Sequence, residues 1–147
     1  MLTRILTGTL IVGILDLADA FLFFYFRSGT RPERILQSIA AGVQGRSAFS
    51  GGMASAGLGL LLHFTVALCI VITCALVVKA LPGLRQHVVR SGIVFGVAAY
   101  FVMQYVVVPL SATSRGPFVW PVFLNGLLIH AFGVGIPAMW SVTRARR

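Results

Sequence analysis

The composition of this chain excludes an ordinary water-soluble globular protein. Its 147 residues are 58% hydrophobic and 10% charged, and its mean hydropathy is +0.95, whereas a soluble domain carries roughly 25% charged residues. The net charge is +9, but the basic residues stand at the ends of apolar stretches, as they do beside membrane spans. No nucleic-acid-binding signature accompanies them. We therefore expect the lipid bilayer, and no nucleic acid, as the partner.

The first apolar segment, residues 5–26, is long enough to cross a bilayer, because about 20 apolar residues span its hydrocarbon core. It contains Asp16 and Asp19, two of the three acidic residues of the chain. Arg4 and the "ADA" at positions 18–20 together resemble a secretory signal with its cleavage site. The apolar run continues well beyond that site, however, whereas the apolar region of a signal ends near it. A retained membrane helix is therefore favoured.

The next segment is too polar to cross the membrane and is patterned as a short helix over residues 31–43. Thr30 and Glu33 form an S/T-x-x-E capping box, and Pro32 suits the first turn. Gly42 and Gly45 can end the helix. A surface position at the membrane interface is favoured, and a re-entrant segment is the alternative. The apolar face comprises Ile35, Leu36, Ile39, Ala40 and Val43, and the polar face Arg34, Gln37, Ser38 and Gln44.

Three further apolar segments, residues 58–78, 91–110 and 118–142, meet the same length requirement. The predicted fold class is an all-α membrane protein, with four transmembrane helices in an up-down bundle and a short interfacial amphipathic helix between the first and second. Residues 1–147 are expected to form a single integral membrane domain. Cys69 and Cys74 lie at a spacing that fits no redox or zinc motif, so we interpret them as packing residues.

Helical periodicity predicts which side of each span faces the bundle interior. On the first span Asp16 and Asp19 share an arc with Gly8, Val12, Gly13, Ala20 and Phe23, opposite Leu6, Leu10, Leu17, Phe21 and Phe24. Stripes of small residues mark the other spans, and such stripes let helix backbones approach closely. The stripes are Ser55, Gly59, His63 and Ala67; Gly92, Gly96, Ala99 and Met103; and Gly126, His130, Gly133 and Pro137. The expected packing glycines are Gly59, Gly92, Gly96, Gly126 and Gly133.

An ionisable group in the middle of a membrane costs about 2.5 to 3.5 kcal/mol even on insertion scales, so the aspartates need partners. Counted from the membrane side near Arg27, Asp19 and His63 lie at comparable depth, as do Asp16 and His130. Gln104 and Asn125 enter from the same side. We therefore predict a buried carboxylate–imidazole network of Asp16, Asp19, His63, His130, Gln104 and Asn125.

Such a network is suited either to proton or cation binding or to fixing the register of the helices. The chain shows no nucleophile–base constellation and no metal motif, so we expect no enzyme, metal or cofactor. A bis-histidine haem between His63 and His130 is disfavoured, since most lone membrane histidines are hydrogen-bonded interior residues.

Several motifs resemble those of an uncharacterised family of small four-helix bacterial inner-membrane proteins. They are "DLADA", "RILQSIAAGVQG", "LHF", "LPGL", "GIVFG", "VVVPLS" and "IHAFGVGIP". From His63 onward, the order of His, Pro, paired Gly, Pro-Leu and a second His more distantly resembles the YagU family, which is connected with acid resistance. The resemblance implies a bacterial inner-membrane location.

Two classes of function follow from these patterns. One is a small structural or stress-linked membrane protein, with acid stress as the implied context, acting alone or in a larger membrane complex. The other is a proton- or cation-coupled small-molecule transporter that uses Asp16 and Asp19. Four helices enclose little volume, so transport would require a homo-oligomer.

Membrane orientation follows from the basic residues on each side, and it generates a first test. Arg4, Lys79, Arg85, Arg90, Arg144, Arg146 and Arg147 lie on the side of the termini; Arg27, Arg31, Arg34, Arg46 and Arg115 lie on the other. The larger number of basic residues on the side of the termini, seven against five, places both termini in the cytoplasm. Reporter fusions at Arg147 and Leu84 should therefore both report cytoplasm, and a fusion at Gln44 the opposite side. Signals from opposite sides at Arg147 and Leu84 would contradict the four-span arrangement.

Overall fold

The fold is all-α, with four long apolar helices packed together and a shorter helix between the first and second. The computed structural model describes residues 1–113 and 116–144; Arg115, Arg146 and Arg147, which entered the charge count, lie outside them. Each long helix is long and apolar enough to cross a membrane. The helices are α1 Leu2–Ser28, α2 Pro32–Gln44, α3 Gly52–Ala80, α4 Pro82–Leu110 and α5 Trp120–Thr143, and a 3₁₀ turn, Gly45–Ser50, joins α2 to α3.

Contacts between the helices establish the up-down order. Gly8 at the start of α1 lies against Ser141 at the end of α5, and Gly13 lies against Phe64 of α3. On α4, Gly92 packs on Ile136 of α5. Each of these pairs joins helices that run in opposite directions. Helix α5 is central, because it packs against α1, α3 and α4.

Helix α2 lies on α3, and its buried face differs from the predicted one. Gln37, expected on the polar face, is only 4% exposed, whereas Val43 is 66% exposed. The Gln37 amide donates to the Gly52 carbonyl at 3.2 Å, so contact with α3 provides the polar partner that the amphipathic pattern did not show. Ile35, Ala40 and Ala41 complete the buried face.

The predicted capping box of α2 does not form. The helix begins at Pro32 with Arg31 as its N-cap residue, and no side chain caps it. Thr30 Oγ1 instead shares a hydrogen bond of 2.8 Å with Ser28 Oγ, and Glu33 accepts one of 3.3 Å from Gln37. Gly45 ends the helix with φ +61°, a conformation that glycine adopts readily.

Both α4 and α5 contain a π-helical segment just before a proline. These segments are Met103–Val107, before Pro109, and Ile129–Gly135, before Pro137. A proline ring clashes with the carbonyl four residues earlier, and a widened turn relieves that clash. The extra residue per turn also rotates the helix face that follows it.

Because of this rotation, the glycine of α5 that packs against α4 is Gly135 and not the predicted Gly133. Gly133 was expected in the helix interface, but a Cβ there would meet mainly Ile129 of its own helix. Gly135 lies instead against the backbone of Gly92 and Gly96. The other predicted glycines have close neighbours across helices: Gly59 lies against Leu36, Gly92 against Ile136, Gly96 against His130 and Gly126 against Tyr100.

The apolar core fills the half of the bundle nearer the termini. On α1, Val12 and Gly13 are buried as predicted, and Leu17, expected opposite, is 7% exposed because α1 packs between α3 and α5. The half nearer α2 contains Asp16 with its two histidine neighbours and the Asp19–Asn125 pair. The core residues are Val12, Ala67, Val71, Cys74, Val78, Val134, Ala138, Met139 and Val142.

Gly59 offers a test of the α2–α3 contact. A Cβ on Gly59 would collide with the Leu36 carbonyl of α2, whereas one on Gly57, two residues away on the same helix, meets nothing within 4 Å. Gly59→Ala should therefore destabilise the protein by about 1–3 kcal/mol, the usual range for overpacking. Gly57→Ala should be neutral or slightly stabilising. Thermal unfolding in detergent checks both variants, and equal stability of the two would contradict the observed packing.

Candidate functional site: an intramembrane Asp–His cluster

Asp16 lies between two histidines that come from different helices. Its Oδ2 is 4.0 Å from His63 Nδ1 of α3, and its Oδ1 is 3.9 Å from His130 Nδ1 of α5. The exposed fraction of the side chain is 28% for Asp16, 11% for His63 and 16% for His130. Both separations exceed a direct hydrogen bond. The carboxyl group is thus close enough to interact electrostatically with both rings without being bonded to either.

The orientation of the His63 ring is fixed by α1. Its Nε2 is 2.9 Å from the Gly13 carbonyl oxygen, and because a carbonyl only accepts, Nε2 carries the donated hydrogen. In the neutral ring the remaining nitrogen, Nδ1, then has a free lone pair. This nitrogen faces Asp16, so the proton-accepting atom of His63 points at the carboxyl group.

His130 is oriented differently. Its Nδ1 is 2.9 Å from the Gly126 carbonyl one turn earlier, so Nδ1 donates to that carbonyl and Nε2 is the proton-accepting atom. The Tyr100 ring packs edge-on against the imidazole at 5.3 Å between centroids. Gly96 lies against the His130 carbonyl. The His130 atom nearest Asp16 is therefore Nδ1, which carries a hydrogen donated to Gly126 and has no free lone pair.

Asp19 has a direct partner on α5. Asn125 Nδ2 donates to Asp19 Oδ2 at 2.6 Å, which is a short, charge-assisted hydrogen bond when the carboxyl group is ionised. Depth counting paired Asp19 with His63, and that pairing is wrong. Helix α3 begins at Gly52, six residues earlier than the predicted span, which places His63 eleven residues into the helix and level with Asp16.

Gln104 lies in a separate cavity between α4 and the start of α5. The cavity has a volume of about 600 Å³, and Tyr100, Ser38 and Phe123 also line it. Through Tyr100 this cavity is one aromatic contact away from His130. Five of the six predicted polar residues, Asp16, Asp19, His63, His130 and Asn125, therefore each have a measured contact with another member of the set.

Asp19 lines a crevice near the α2 end of α1. The crevice has a volume of about 460 Å³, and Asn125, Phe23 and Arg27 also line it. On the opposite side of Asp16 the apolar core closes the bundle with Val12, Val71, Val134 and Met139, all at most 1% exposed.

Sequence reasoning missed three contributors to this site. The Gly13 and Gly126 carbonyls orient the two rings, and Tyr100, 3% exposed, packs beside His130. Of these contacts, only the one to the Gly126 carbonyl could have been predicted from the sequence, because a histidine ring on a helix can reach the carbonyl four residues earlier. In the part of the chain that the structure describes, no group of three or more His, Cys, Asp or Glu side chains could hold a metal ion.

Comparisons with protein-family models, curated proteins and solved structures found no match.

The Asp19–Asn125 bond can be tested by exchange. Asn125→Leu removes the donor and should destabilise the protein by about 1–3 kcal/mol, as for a hydrogen bond to a carboxylate. Asp19→Asn with Asn125→Asp keeps one carboxyl and one amide in contact and should recover much of that loss. Thermal unfolding in detergent measures both. If the exchange variant is no more stable than Asn125→Leu, the bond does not contribute to stability.

Proposed function

We propose that this protein is a proton-responsive membrane protein in which Asp16 and His63 bind and release a proton within the bundle. The supporting observation is the pairing of Asp16 Oδ2 with the proton-accepting Nδ1 of His63 at 4.0 Å. The proposal assigns proton binding to the site and no catalytic reaction.

The geometry favours a responsive pair over a purely structural one. A network that only fixes helix register is most stable when its members are directly hydrogen-bonded, as Asp19 and Asn125 are at 2.6 Å. Asp16 and His63 are instead held 4.0 Å apart, without a direct hydrogen bond between them. The proposal assigns proton uptake to this pair, because imidazole is the side chain best suited to that role near physiological pH.

Two features give the proposed response a direction. A crevice lined by Asp19 lies at the α2 end of α1, and the apolar core fills the side of the termini. These features favour proton entry from the α2 side. With the termini in the cytoplasm of a bacterial inner membrane, this is the external side, where an acid-stress role requires access.

The resemblance to the small inner-membrane family and to the YagU family is consistent with this context. It covers His63 and His130 in both cases, while the more distant likeness does not include α1. The YagU likeness therefore bears on the acid-stress context but gives no support to the role of Asp16, which is proposed from its contact with His63.

A proton-coupled small-molecule transporter is the second candidate. The cavity beside Tyr100 and Gln104 has about 600 Å³ of volume, which falls in the usual range for ligand pockets. It lies next to His130, so a ligand there could be coupled to proton binding at Asp16. Transport by four helices would still require a homo-oligomer or a partner in a membrane complex.

A carboxyl-labelling experiment tests the proton site. The chain contains two aspartates, so aspartate labelled with ¹³C at the carboxyl carbon gives two signals, and Asp19→Asn leaves only that of Asp16. The Asp16 signal should shift as the pH is lowered from neutral, because the proposed proton uptake changes the charge beside the carboxyl carbon. Nuclear magnetic resonance of the protein in lipid nanodiscs measures this shift.

Two matched histidine variants separate the roles of the rings. His63→Gln keeps a donor for the Gly13 carbonyl but has no proton-accepting nitrogen, and it should abolish the shift over this range. His130→Asn keeps a donor for the Gly126 carbonyl and should leave the shift in place. A shift that persists in His63→Gln would refute the proposed pair. Proton flux into liposomes that depends on Asp16 would favour the transporter.

A further inference from the structure

Another groove lies on the outer side of the bundle, between the second half of α3 and α4, whose lining residues run from Gly83 to Val107. Its volume is about 890 Å³, and its long walls are apolar, with Val66, Ile70, Val94 and Val102 among the lining residues. Helix α4 packs mainly on α5, and of the four spans it has the smallest buried share. The groove is therefore open to the hydrocarbon of the membrane.

The polar residues of this groove are concentrated at one end. His87, Arg90 and Ser91 line it next to the turn between α3 and α4, and His87 and Arg90 are exposed. The acidic side chains of the chain are Asp16, Asp19 and Glu33, of which the two aspartates lie in the bundle and Glu33 lies on α2. Among the residues that the structure describes, no acidic side chain lies at the basic end of the groove, so this end carries positive charge at the membrane surface.

The dimensions of the groove suit a lipid chain. From Leu81 to Val66 it follows α3 for fifteen residues, or about 22 Å at the helical rise per residue. One leaflet of the hydrocarbon core is about 15 Å thick. The groove therefore extends from the headgroup level through a full leaflet.

We propose that the α3–α4 groove binds an anionic phospholipid. Its acyl chain lies along the apolar walls, and its phosphate is held by Arg90 and His87. Basic pockets between transmembrane helices are a recognised site for anionic headgroups, because a phosphate there meets fixed positive charge and the chain stays in an apolar environment. This site is separate from the Asp16 cluster, because none of its lining residues belongs to that cluster.

Native mass spectrometry of the full chain in detergent tests the proposal. The protein is mixed with equal amounts of phosphatidylglycerol and phosphatidylcholine, and the bound lipids are counted. The wild type should retain phosphatidylglycerol preferentially. Arg90→Gln should weaken that retention about fivefold, the effect expected for one basic residue near an anionic headgroup.

Arg46→Gln is the matched control, since Arg46 is also exposed but belongs to the 3₁₀ turn at the opposite end. It should leave retention unchanged. Ala98→Phe, which fills the groove, should reduce the binding of both lipids. If Arg90→Gln and Arg46→Gln lose phosphatidylglycerol retention equally, the lipid is held by general charge attraction. That result would overturn the proposed site. A Cys69–Cys69 disulfide between copies on oxidation would show that a second chain covers the groove, because Cys69 lines it and is exposed.

Discussion

Hydrocarbon provides no hydrogen-bond partners, and this constraint determines where the polar side chains of the four spans lie. Thr9, Thr65 and Thr73 each donate to a carbonyl one turn earlier at 2.8 Å, so these hydroxyls need no second helix. Longer polar side chains do need one: Asn125 reaches Asp19, and His63 reaches the Gly13 carbonyl. Asp16 differs, because both of its imidazole neighbours are held by other acceptors. The same constraint that joins α1, α3 and α5 thus leaves one carboxyl group 3.9–4.0 Å from two imidazole rings, without a direct hydrogen bond to either.

Close backbone contact between α4 and α5 controls the position of His130. Gly92 and Gly96 allow α4 to approach the π-helical segment of α5, where Gly135 faces them. A side chain at any of these positions would separate the helices, since packed interiors accept little added volume. The separation would move His130 relative to Asp16, although neither residue touches the substituted position through its own side chain. Packing at the outer face of α5 therefore affects electrostatics at its inner face.

Sequence periodicity was sufficient for the number of spans, the up-down order and the inward placement of Asp16, because these depend on composition and on 3.6 residues per turn. It failed for the partner of Asp19, because the depth of His63 depends on where α3 begins. The glycines of residues 51–59 make that start hard to recognise in the sequence. It also failed for Gly133, because proline-induced π turns change the periodicity locally. The burial of Gln37 was missed for a third reason: an amphipathic pattern identifies a polar face but not a protein neighbour that can bond to it.

The depth of Asp16 adds an electrical consequence. It lies fourteen residues from the start of α1 and twelve from the end, so it is near the middle of the membrane. Moving one elementary charge across a whole membrane is worth about 2.3 kcal/mol per 100 mV. A proton that reaches Asp16 from the α2 side crosses about half of that field, which corresponds to ~1.2 kcal/mol per 100 mV, or about sevenfold in occupancy. For the proposed proton site, membrane voltage would therefore join pH as a variable that sets how often the Asp16–His63 pair carries its additional proton.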